Sequence, residues 1–494
     1  MMRKAPIYAL AALCVCPIAL ADPVCIVGAG PAGLTIANRL QAKGYNTVIF
    51  EKDAEVGGKC QAYYDEQGLF HPMGALLYSN QTYRETLPVI ESSGVSSFAF
   101  GYTSPEWLYN WRTGYTEEVS TPLSELTANE LFKEEIERYT TFWNTEFAPK
   151  ANGVEGYTMS TLDWLLENDY PLLLLLFING MVPYGYGDVR QTPILYMLSY
   201  FTPDILLFFA GQREGYIIDF HKVFVRYAAT SVSGPIYLNT SITKIEIYLY
   251  PIRSCKDRSG SSPVITYYVD GPSPSLSTQT CSKLVLAFPP VLSALHAANV
   301  DLTLSEQTIF SPVGIIKYWS GAVRVATPNG LAFGGFLRAT LLALVEKFLG
   351  THLLSFLEFV PWLPEAAGEP VALLRLFNQS DIATTYSWGK YRSSQTLTEA
   401  KTLLEEVISK INKDPRVFGA APQPVTDANV KEFLEWDYFP HFDQPQLEAG
   451  YYAKFNALQG EKNTYYASGL NGFETVEYAI RAGIDVVEAY FPSQ

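Results

Sequence analysis

The chain of 494 residues is poor in the residue types from which metal sites and nucleic-acid surfaces are built. It contains six cysteines and five histidines, and they form no cluster with the spacing of metal ligands. Acidic residues outnumber basic ones by 50 to 35, and the net charge of −15 argues against binding to nucleic acids or anionic lipid surfaces. We therefore expect no metal site and no nucleic-acid partner. The sequence also lacks a histidine, cysteine and serine pattern typical of nucleophilic catalysis.

Long hydrophobic runs are scarce beyond the N-terminus. Two basic residues precede the apolar run Ala5–Leu20, and small residues before Asp22 form a cleavage site. Residues 1–21 thus predict a signal peptide and a secreted protein, or one in the lumen of the secretory pathway; a retained signal anchor is the alternative. Leu172–Ile178 is too short to span a membrane and charges interrupt Leu341–Val360, so we expect no transmembrane segment in the mature chain.

Four cysteines remain after removal of the signal peptide. Cys25 lies inside an apolar segment and is expected to be a buried free thiol. Cys255 and Cys281 flank a polar stretch rich in serine, proline and glycine, where a disulfide compatible with secretion and two free thiols are both open. If the chain is secreted, three sequence motifs are candidate glycosylation sites, at Asn80, Asn239 and Asn378.

The strongest local signal is a strand, a glycine turn, a helix and a second strand near the start of the mature chain. The apolar strand Val24–Val27 leads into the glycine turn at residues 28–33. A helix is predicted over Leu34–Lys43 and a second strand over Thr47–Phe50. This order is typical of dinucleotide-binding folds, and a structural glycine turn without a ligand is the alternative.

Each residue of the turn has a mechanical role in such a site. Gly28 permits the tight turn, Gly30 lets the backbone approach a pyrophosphate, and Gly33 lets the helix pack on the strand. Ala32 lies in the first helical turn, whose free N–H groups can face phosphates. Glu51 ends the second strand, where an acid can bind the ribose hydroxyls of FAD or NAD.

A second glycine turn follows and favours FAD over a nicotinamide cofactor. Gly57 and Gly58 precede Lys59, a pattern typical of flavoproteins of the amine-oxidase type. Lys52, next to the ribose-binding acid, is assigned to the same cofactor site. Further on, the small pair Gly74 and Ala75 suits a close passage of the backbone beside a flavin ring.

The C-terminal segment is predicted to return to the cofactor. A strand is expected to end in a turn at Ser468 and Gly469, and a helix is predicted over Phe473–Tyr490. The N-terminus of that helix, at Phe473, can face the cofactor.

Unusually apolar helices follow in the middle of the chain, at Pro171–Val182 and Pro193–Phe201. Helices without a polar face are buried or line an apolar cavity, and both interpretations are open. Four tyrosines cluster there, and we favour a substrate tunnel lined by Tyr184, Tyr186, Tyr196 and Tyr200. A further apolar segment, Leu341–Leu357, is expected to be a core helix, with a lipid-contacting surface as the alternative.

The pattern as a whole predicts an α/β protein. It combines a Rossmann-type FAD-binding domain with an interleaved mixed-sheet substrate domain and a helical insertion. The FAD-binding domain is assigned to residues 22–95, 230–300 and 450–494, the substrate domain to 96–120 and 301–449, and the helical substrate-tunnel subdomain to 121–229.

Four stretches carry a family resemblance, and they follow one another along the whole mature chain. They are residues 57–60 with 73–75, residues 184–187 with the helix to Tyr200, residues 438–441, and residues 463–467 with Phe473. The chain thereby resembles the flavin-containing amine oxidase superfamily, and within it the polyunsaturated (polyenoic) fatty acid double-bond isomerases. Two departures stand out. Ser468 and Gly469 replace an acid that often binds the flavin ribityl chain, and Pro72 replaces another acid.

The resemblance implies FAD, bound without a covalent link, although a thioether at Cys60 is conceivable. It also implies that backbone groups of Ile242 pair with the adenine. The substrate would be a lipophilic small molecule, and Arg84 and Arg112 are candidates for binding a carboxylate.

By resemblance, the chain is expected to be an FAD-dependent isomerase that moves double bonds of polyunsaturated fatty acids into conjugation. Hydride would pass from a doubly allylic carbon to flavin N5 and return at another carbon. No catalytic side chain is assigned, and His71, next to a proline, is expected to be a packed or a solvated residue. An oxidase or dehydrogenase of an amine or lipophilic secondary metabolite, and a non-catalytic flavin- or lipid-binding protein, are the alternatives.

Overall fold

The computed structural model describes residues 22–100, 106–110, 112–118, 123–148, 156–181, 183–249, 261–270, 275–329, 332–335, 368–389 and 393–494. The predicted signal peptide, the segment Leu341–Leu357 and Cys255 lie outside the described residues. Within those residues, no helix is long and apolar enough to cross a membrane.

The described residues form strands and helices in alternating blocks. The strands are β1 (Val24–Val27), β2 (Thr47–Phe50), β3 (Ala62–Tyr64), β4 (Phe70–Pro72), β5 (Leu77–Tyr78), β6 (Phe98–Phe100), β7 (Glu106–Tyr109), β8 (Thr116–Glu118), β9 (Gly215–Ile217), β10 (Ile236–Tyr237), β11 (Thr240–Leu249), β12 (Ser261–Val269), β13 (Ser275–Thr280), β14 (Lys283–Leu286), β15 (Gly314–Arg324), β16 (Ala332–Gly335), β17 (Pro370–Leu374), β18 (Ile382–Trp388), β19 (Val430–His441) and β20 (Thr464–Tyr466). The α-helices are α1 (Pro31–Ala42), α2 (Thr86–Ser93), α3 (Leu123–Leu126), α4 (Glu130–Phe142), α5 (Thr161–Glu167), α6 (Leu173–Met181), α7 (Ile194–Tyr200), α8 (Pro203–Phe209), α9 (Phe220–Ser231), α10 (Leu292–Ala297), α11 (Leu304–Phe310), α12 (Leu397–Ile411), α13 (Gln444–Glu448), α14 (Tyr451–Leu458) and α15 (Val476–Tyr490).

The glycine turn follows β1, the central strand of a five-stranded parallel sheet with the strand order β10-β2-β1-β14-β20. All residues of β1 and β2 are buried, as in parallel sheets that are covered on both faces. Helices α1, α9 and α15 share a core with one face, and Ile265 and Tyr267 of β12 share a core with the other. The predicted α/β class with a Rossmann-type domain is confirmed.

Helix α1 packs as its sequence predicts but begins at Pro31, three residues before the predicted start at Leu34. Pro31 occupies its first turn, where the missing N–H costs no hydrogen bond. A β-carbon at Gly33 would lie 2.0 Å from the carbonyl oxygen of Gly28, so only glycine allows this contact between helix and turn. The strict requirement for glycine agrees with the packing role predicted for Gly33.

A second, seven-stranded sheet has the order β19-β15-β18-β17-β16-β7-β8. Its pairs are antiparallel except β16 and β7, which run parallel, so the sheet is mixed. Helix α12 packs on it through Leu404, Val407 and Ile408, and a capping box of Thr396 and Glu399 starts that helix. The exact domain boundaries stay a prediction.

Capping residues set the starts of two helices. Helix α9 follows strand β9, and it starts at Phe220 because the Asp219 side chain accepts a hydrogen bond from the Lys222 N–H. Helix α15 begins at Val476 rather than at Phe473, because the side chain of Thr475 caps it.

The cysteine predictions need correction. Cys25 is not a free thiol, because it forms a disulfide with Cys281, with α-carbons 5.6 Å apart. Strand β14, which follows Cys281, is the direct neighbour of β1, and Cys25 pairs in register with Leu284. The disulfide therefore joins β1 to the segment directly before β14, and the open alternative of a pairing between Cys281 and Cys255 does not form.

Candidate active site

A cavity of about 1560 Å³ lies between the glycine turn, the seven-stranded sheet and the apolar helices. Most of the residues predicted to bind the cofactor line it: Gly28, Gly30, Ala32, Glu51, Lys52, Gly58, Lys59, Gly74, Ala75, Ile242, Ser468 and Gly469. Three tyrosines predicted for the substrate tunnel line it as well: Tyr184, Tyr186 and Tyr200. The cavity thus brings together residues from both ends and the middle of the chain.

The two glycine turns face each other at one end of the cavity. A β-carbon at Gly58 would lie 3.0 Å from the α-carbon of Gly30, so the two backbones meet without side chains between them. No side chain among the described residues caps the N-terminus of α1, whose first N–H groups have no partner within the helix. The pair of turns therefore offers backbone N–H groups and a partial positive charge to an anion.

Glu51 lies beside this turn at the end of β2. One carboxylate oxygen accepts the Ala29 N–H at 2.6 Å and the other accepts the Asp53 N–H at 3.0 Å. Burial raises the pKa of Glu51, and the two backbone donors partly oppose that rise. The carboxylate is fixed by the turn itself and keeps lone pairs for hydroxyl donors in the cavity.

Three residues assigned to the cofactor site support the wall rather than line it. Gly33 packs on Gly28, and the N–H of Gly57 donates to the Ala29 carbonyl at 2.9 Å. Phe473 is buried, with its ring centroid 4.6 Å from that of Tyr186. These three residues support the cavity wall from behind.

Lys59 and Glu474 form an ion pair at 3.0 Å in the middle of the cavity wall. The Lys59 ammonium also lies 5.5 Å from the ring centroid of Tyr438. A β-carbon at Gly74 would lie 1.8 Å from the Lys59 carbonyl oxygen, so Gly74 is required for the path of this turn. Glu474 was not predicted from the sequence, because its position was assigned to a helix that begins two residues later.

Stacked tyrosines form the other end of the cavity. The rings of Tyr186 and Tyr438 stack with centroids 5.6 Å apart, and Tyr318 stacks on Tyr438 at 4.8 Å. Their hydroxyls are bonded within the protein: Tyr438 donates to the Tyr186 hydroxyl at 3.1 Å and Tyr318 to the Pro183 carbonyl at 2.9 Å. Burial raises the pKa of all three well above the ordinary tyrosine value, so they stay neutral.

The wall opposite the parallel sheet comes from β15 and β19, which sequence reasoning did not assign to the site. Lys317 of β15 pairs with Glu435 and, at 3.4 Å, with Asp437 of β19. Burial lowers the pKa of the Lys317 ammonium, but its contacts with Glu435 and Asp437 raise the pKa by more. The pKa of Lys317 is therefore raised above the ordinary lysine value. Trp436 lies between the two acids and donates its indole N–H to the Met73 carbonyl at 2.9 Å. Residues 438–441, which follow it, are part of the family resemblance, but Trp436 itself was not predicted from the sequence.

Three residues predicted for the substrate pocket lie elsewhere. Tyr196 is buried behind the wall, where its hydroxyl donates to the Phe442 carbonyl at 3.0 Å, because its helix turns that face to the core. Arg84 and Arg112 are exposed and do not line the cavity. The structure therefore does not support either arginine as the carboxylate ligand.

The structure gives no catalytic role to either of the reactive side chains considered in the sequence, His71 and Cys60. His71 is fully buried outside the cavity, and its Nε2 lies 3.2 Å from both Asp65 and Ser380, so of the two expected alternatives it is the packed one. Cys60 lines the cavity but is buried, and burial raises its thiol pKa. No histidine of the described chain lines the cavity, and no cluster of possible metal ligands occurs among the described residues.

The described residues fit a flavin dinucleotide. The facing glycines accommodate a pyrophosphate, the fixed Glu51 carboxylate suits ribose hydroxyls, and the aromatic end suits a planar ring.

Comparison with known proteins also indicates a dinucleotide-binding domain and relatives that depend on a flavin. Residues 26–90 match the family model of the NAD(P)-binding Rossmann-like domain. An uncharacterized protein of Acanthamoeba polyphaga mimivirus is 24% identical, and the match covers 97% of this chain and 95% of that protein. An FAD-dependent oxidoreductase of Colletotrichum higginsianum is 22% identical over 90% of this chain and 88% of its own. A polyenoic fatty acid isomerase of Ptilota filicina is 22% identical over 95% of each chain.

Solved structures share the fold over nearly the whole chain. A CLA-producing fatty acid isomerase from P. acnes matches with a TM-score of 0.71 and 19% identity, covering 95% of this chain and 99% of that one. A putrescine oxidase bound to putrescine matches with a TM-score of 0.59 and 15% identity, covering 95% and 98%. The resemblance found in the sequence is confirmed. The chain has the fold shared by FAD-dependent amine oxidases and a fatty acid isomerase, and it is an enzyme related to flavin-dependent oxidoreductases.

Proposed function

We propose that the protein is an FAD-dependent isomerase that moves double bonds of polyunsaturated fatty acids into conjugation. The observation that carries this proposal is the composition of the cavity. It joins the two glycine turns to a wall of neutral, stacked tyrosines, and no histidine of the described chain lines it. The tyrosine wall suits chemistry that needs a shaped space and takes no proton-transfer group from that wall.

The proposed cofactor is FAD without a covalent link. Gly30, Gly58 and the N-terminus of α1 would hold the pyrophosphate, Glu51 the ribose, and Ile242 the adenine. FAD would supply the acceptor and donor of hydride. The buried, protonated thiol of Cys60 supports non-covalent binding, because a thiolate is the reactive form of cysteine.

The tyrosine wall would hold the substrate chain and stabilise positive charge on it. Tyr186, Tyr318 and Tyr438 present buried rings whose hydroxyls already have partners. The faces of such rings attract a cation, and their neutral hydroxyls do not remove a proton. Tyr184 and Tyr200 extend the same wall and exclude water from the chain. The names of the two isomerase relatives support a fatty acid as the substrate.

Oxidation of an amine is the second candidate, and the acidic side chains of β19 favour it. Glu432, Glu435 and Asp437 line the cavity, and carboxylates attract an ammonium group. Two of them are paired with Lys317, which reduces that attraction. The relative that binds putrescine supports this alternative.

One anaerobic assay separates the two functions. FAD-loaded protein is mixed with linoleate without oxygen, and flavin and conjugated-diene absorbance are followed together, with flavin-free protein as the control. We expect conjugated diene to accumulate over many turnovers while the flavin stays oxidised. Flavin that bleaches with putrescine and recovers only in air would contradict the isomerase and support the oxidase. No change with either compound would support a non-catalytic binder.

We also propose that the protein enters the secretory pathway. The buried disulfide of Cys25 and Cys281 supports an oxidising compartment, and the three asparagines of the glycosylation motifs are exposed. Expression in a eukaryotic host with N-terminal sequencing tests this proposal. We expect a secreted glycoprotein that begins near Asp22, and an intact N-terminus in the cell lysate would contradict it.

A further inference from the structure

A single polar side chain interrupts the buried surface of helix α6. Eight of the nine residues of this helix are buried, and Asn179 alone keeps part of its surface exposed. Asn179 lines the cavity, together with its neighbour Ile178. A polar side chain in an apolar wall costs free energy unless it has a hydrogen-bond partner. The position of Asn179 therefore indicates a polar group on whatever fills the cavity.

The two polar atoms of the Asn179 amide differ in their access to the cavity. Nδ2 is buried and has no hydrogen-bond partner among the described residues. Oδ1 has no partner there either, but it is not buried, so the carbonyl oxygen is the polar atom that a ligand in the cavity can reach. A carbonyl oxygen accepts hydrogen bonds and donates none. The amide thus offers the cavity an accessible acceptor.

Most of the other polar side chains of the described wall already use their hydrogens within the protein. The ammonium groups of Lys59 and Lys317 are paired with carboxylates. Four tyrosine hydroxyls donate to oxygen atoms of the protein, namely those of Tyr186, Tyr318, Tyr386 and Tyr438. An ionised carboxylate only accepts hydrogen bonds and gains little from such a wall. A ligand group that itself donates a hydrogen bond fits the wall better.

We infer that Asn179 binds the polar end of a lipid substrate through an uncharged hydroxyl group. Its Oδ1 accepts the hydrogen bond of that hydroxyl, while the apolar chain lies along the tyrosine wall. The hydroxyl belongs to an alcohol or to a carboxylic acid that is bound in its protonated form. The inference rests on the lipid substrate of the proposed function and not on the transfer of hydride.

Direct binding to FAD-loaded protein tests the inference without turnover. Dissociation constants are measured by equilibrium dialysis of radiolabelled oleyl alcohol and methyl oleate, whose single double bond cannot give a conjugated diene. The ester has no hydroxyl hydrogen to donate. Asn179→Leu keeps the size of the side chain and removes the acceptor. We expect its affinity for the alcohol to fall about tenfold and its affinity for the ester to stay the same.

Two further variants serve as controls. Asn179→Asp keeps an acceptor and removes the amide N–H₂ group, and we expect an affinity for the alcohol close to that of the wild type. Ile178→Val trims the apolar wall beside the amide and should weaken both lipids alike. The FAD content and the melting temperature of each variant show whether it is folded.

Several outcomes would overturn the inference. They are an unchanged affinity for the alcohol in Asn179→Leu, an equal loss for alcohol and ester in that variant, a loss in Asn179→Asp as large as in Asn179→Leu, and wild-type protein that binds neither lipid. Failure of the proposed function is distinguishable from these outcomes. Protein that discriminates between the two lipids through Asn179 but leaves linoleate unconjugated would refute the isomerase and keep the inference.

Oleate separates the two sources of the hydroxyl. Weaker binding of oleate at mildly alkaline pH than at mildly acidic pH would support the protonated acid, because ionisation removes the donor. Binding of oleate that is weaker than that of the alcohol at both pH values would support an alcohol. Tighter binding of the ionised form would overturn the inference.

Discussion

Tyr438 donates its hydroxyl hydrogen to the Tyr186 hydroxyl at 3.1 Å, while the two rings stack with centroids 5.6 Å apart. The Tyr186 hydroxyl in turn donates a hydrogen bond to the backbone carbonyl of Glu474 at 2.9 Å. Both hydroxyls thus donate their hydrogen atoms to acceptors within the wall of the cavity. What the two residues offer to a substrate is their aromatic rings.

Removing the ring of Tyr438 should harm the reaction more than removing its hydroxyl. Tyr438→Phe keeps the ring, and we expect a conjugation rate close to that of the wild type. Tyr438→Leu loses the attraction between ring and positive charge, and we expect kcat to fall about tenfold. Steady-state kinetics with linoleate measure both. Equal losses in the two variants would show that the hydroxyl takes part, and Tyr196→Phe, behind the wall, is the control.

The reaction should show little dependence on pH. Burial raises the pKa of Tyr186 and Tyr438 well above the ordinary value and raises that of the Cys60 thiol. Because a raised pKa keeps each group protonated, none of them changes charge between about pH 6 and about pH 9. We expect kcat at saturating substrate to be flat over this range. A bell-shaped profile would reveal a protein acid or base and contradict the account.

Replacing Glu51 should weaken FAD and ADP alike, because both contain the adenosine ribose. For Glu51→Gln we expect affinities lower by about tenfold, from the loss of a charged acceptor. Burial raises the pKa of Glu51, so the wild-type carboxylate gains its proton at a higher pH than usual. Wild-type FAD affinity should therefore fall as the pH drops through that raised pKa, and Glu51→Gln should lack this dependence. Calorimetry at several pH values measures both effects, and an unchanged ADP affinity would contradict the assignment.

The cofactor end of the site could be predicted because its signals are local. Gly28, Gly30 and Glu51 lie within one strand-turn-helix-strand unit, and their spacing alone fixes their relation. Lys317 and Glu435 come together only through pairing of β15 with β19. No local pattern in the sequence shows which strands are neighbours.

The same limit explains the errors over cysteine and arginine. Cys25 meets Cys281 because β14 is the neighbour of β1, and strand order cannot be derived from the spacing of cysteines. Arg84 had the right chemistry, but its exposure depends on how α2 packs. The sequence did contain a signal that places Glu474 before α15 and not within it. Thr475 is a helix-capping residue, and it sets the start of α15 after Glu474.

The disulfide should contribute substantially to stability. Cys25 and Cys281 close a loop with a sequence separation of 256 residues, which restricts the unfolded chain. For Cys25→Ala/Cys281→Ala we expect the free energy of unfolding to fall by about 2–4 kcal/mol. Denaturant unfolding measures it, and Cys60→Ala, which removes a free thiol, is the control. Non-reducing peptide mapping that links neither cysteine to the other would contradict the structure.

Isotope retention tests the central claim most directly. Linoleate carrying two deuterium atoms on the doubly allylic carbon is converted in ordinary water, and the product is analysed by mass spectrometry. If the hydrogen leaves and returns as hydride within one dry cavity, the conjugated product keeps both deuterium atoms. A conjugated product that has lost one deuterium would show that the transferred hydrogen exchanges with the solvent, and would contradict transfer within a dry cavity.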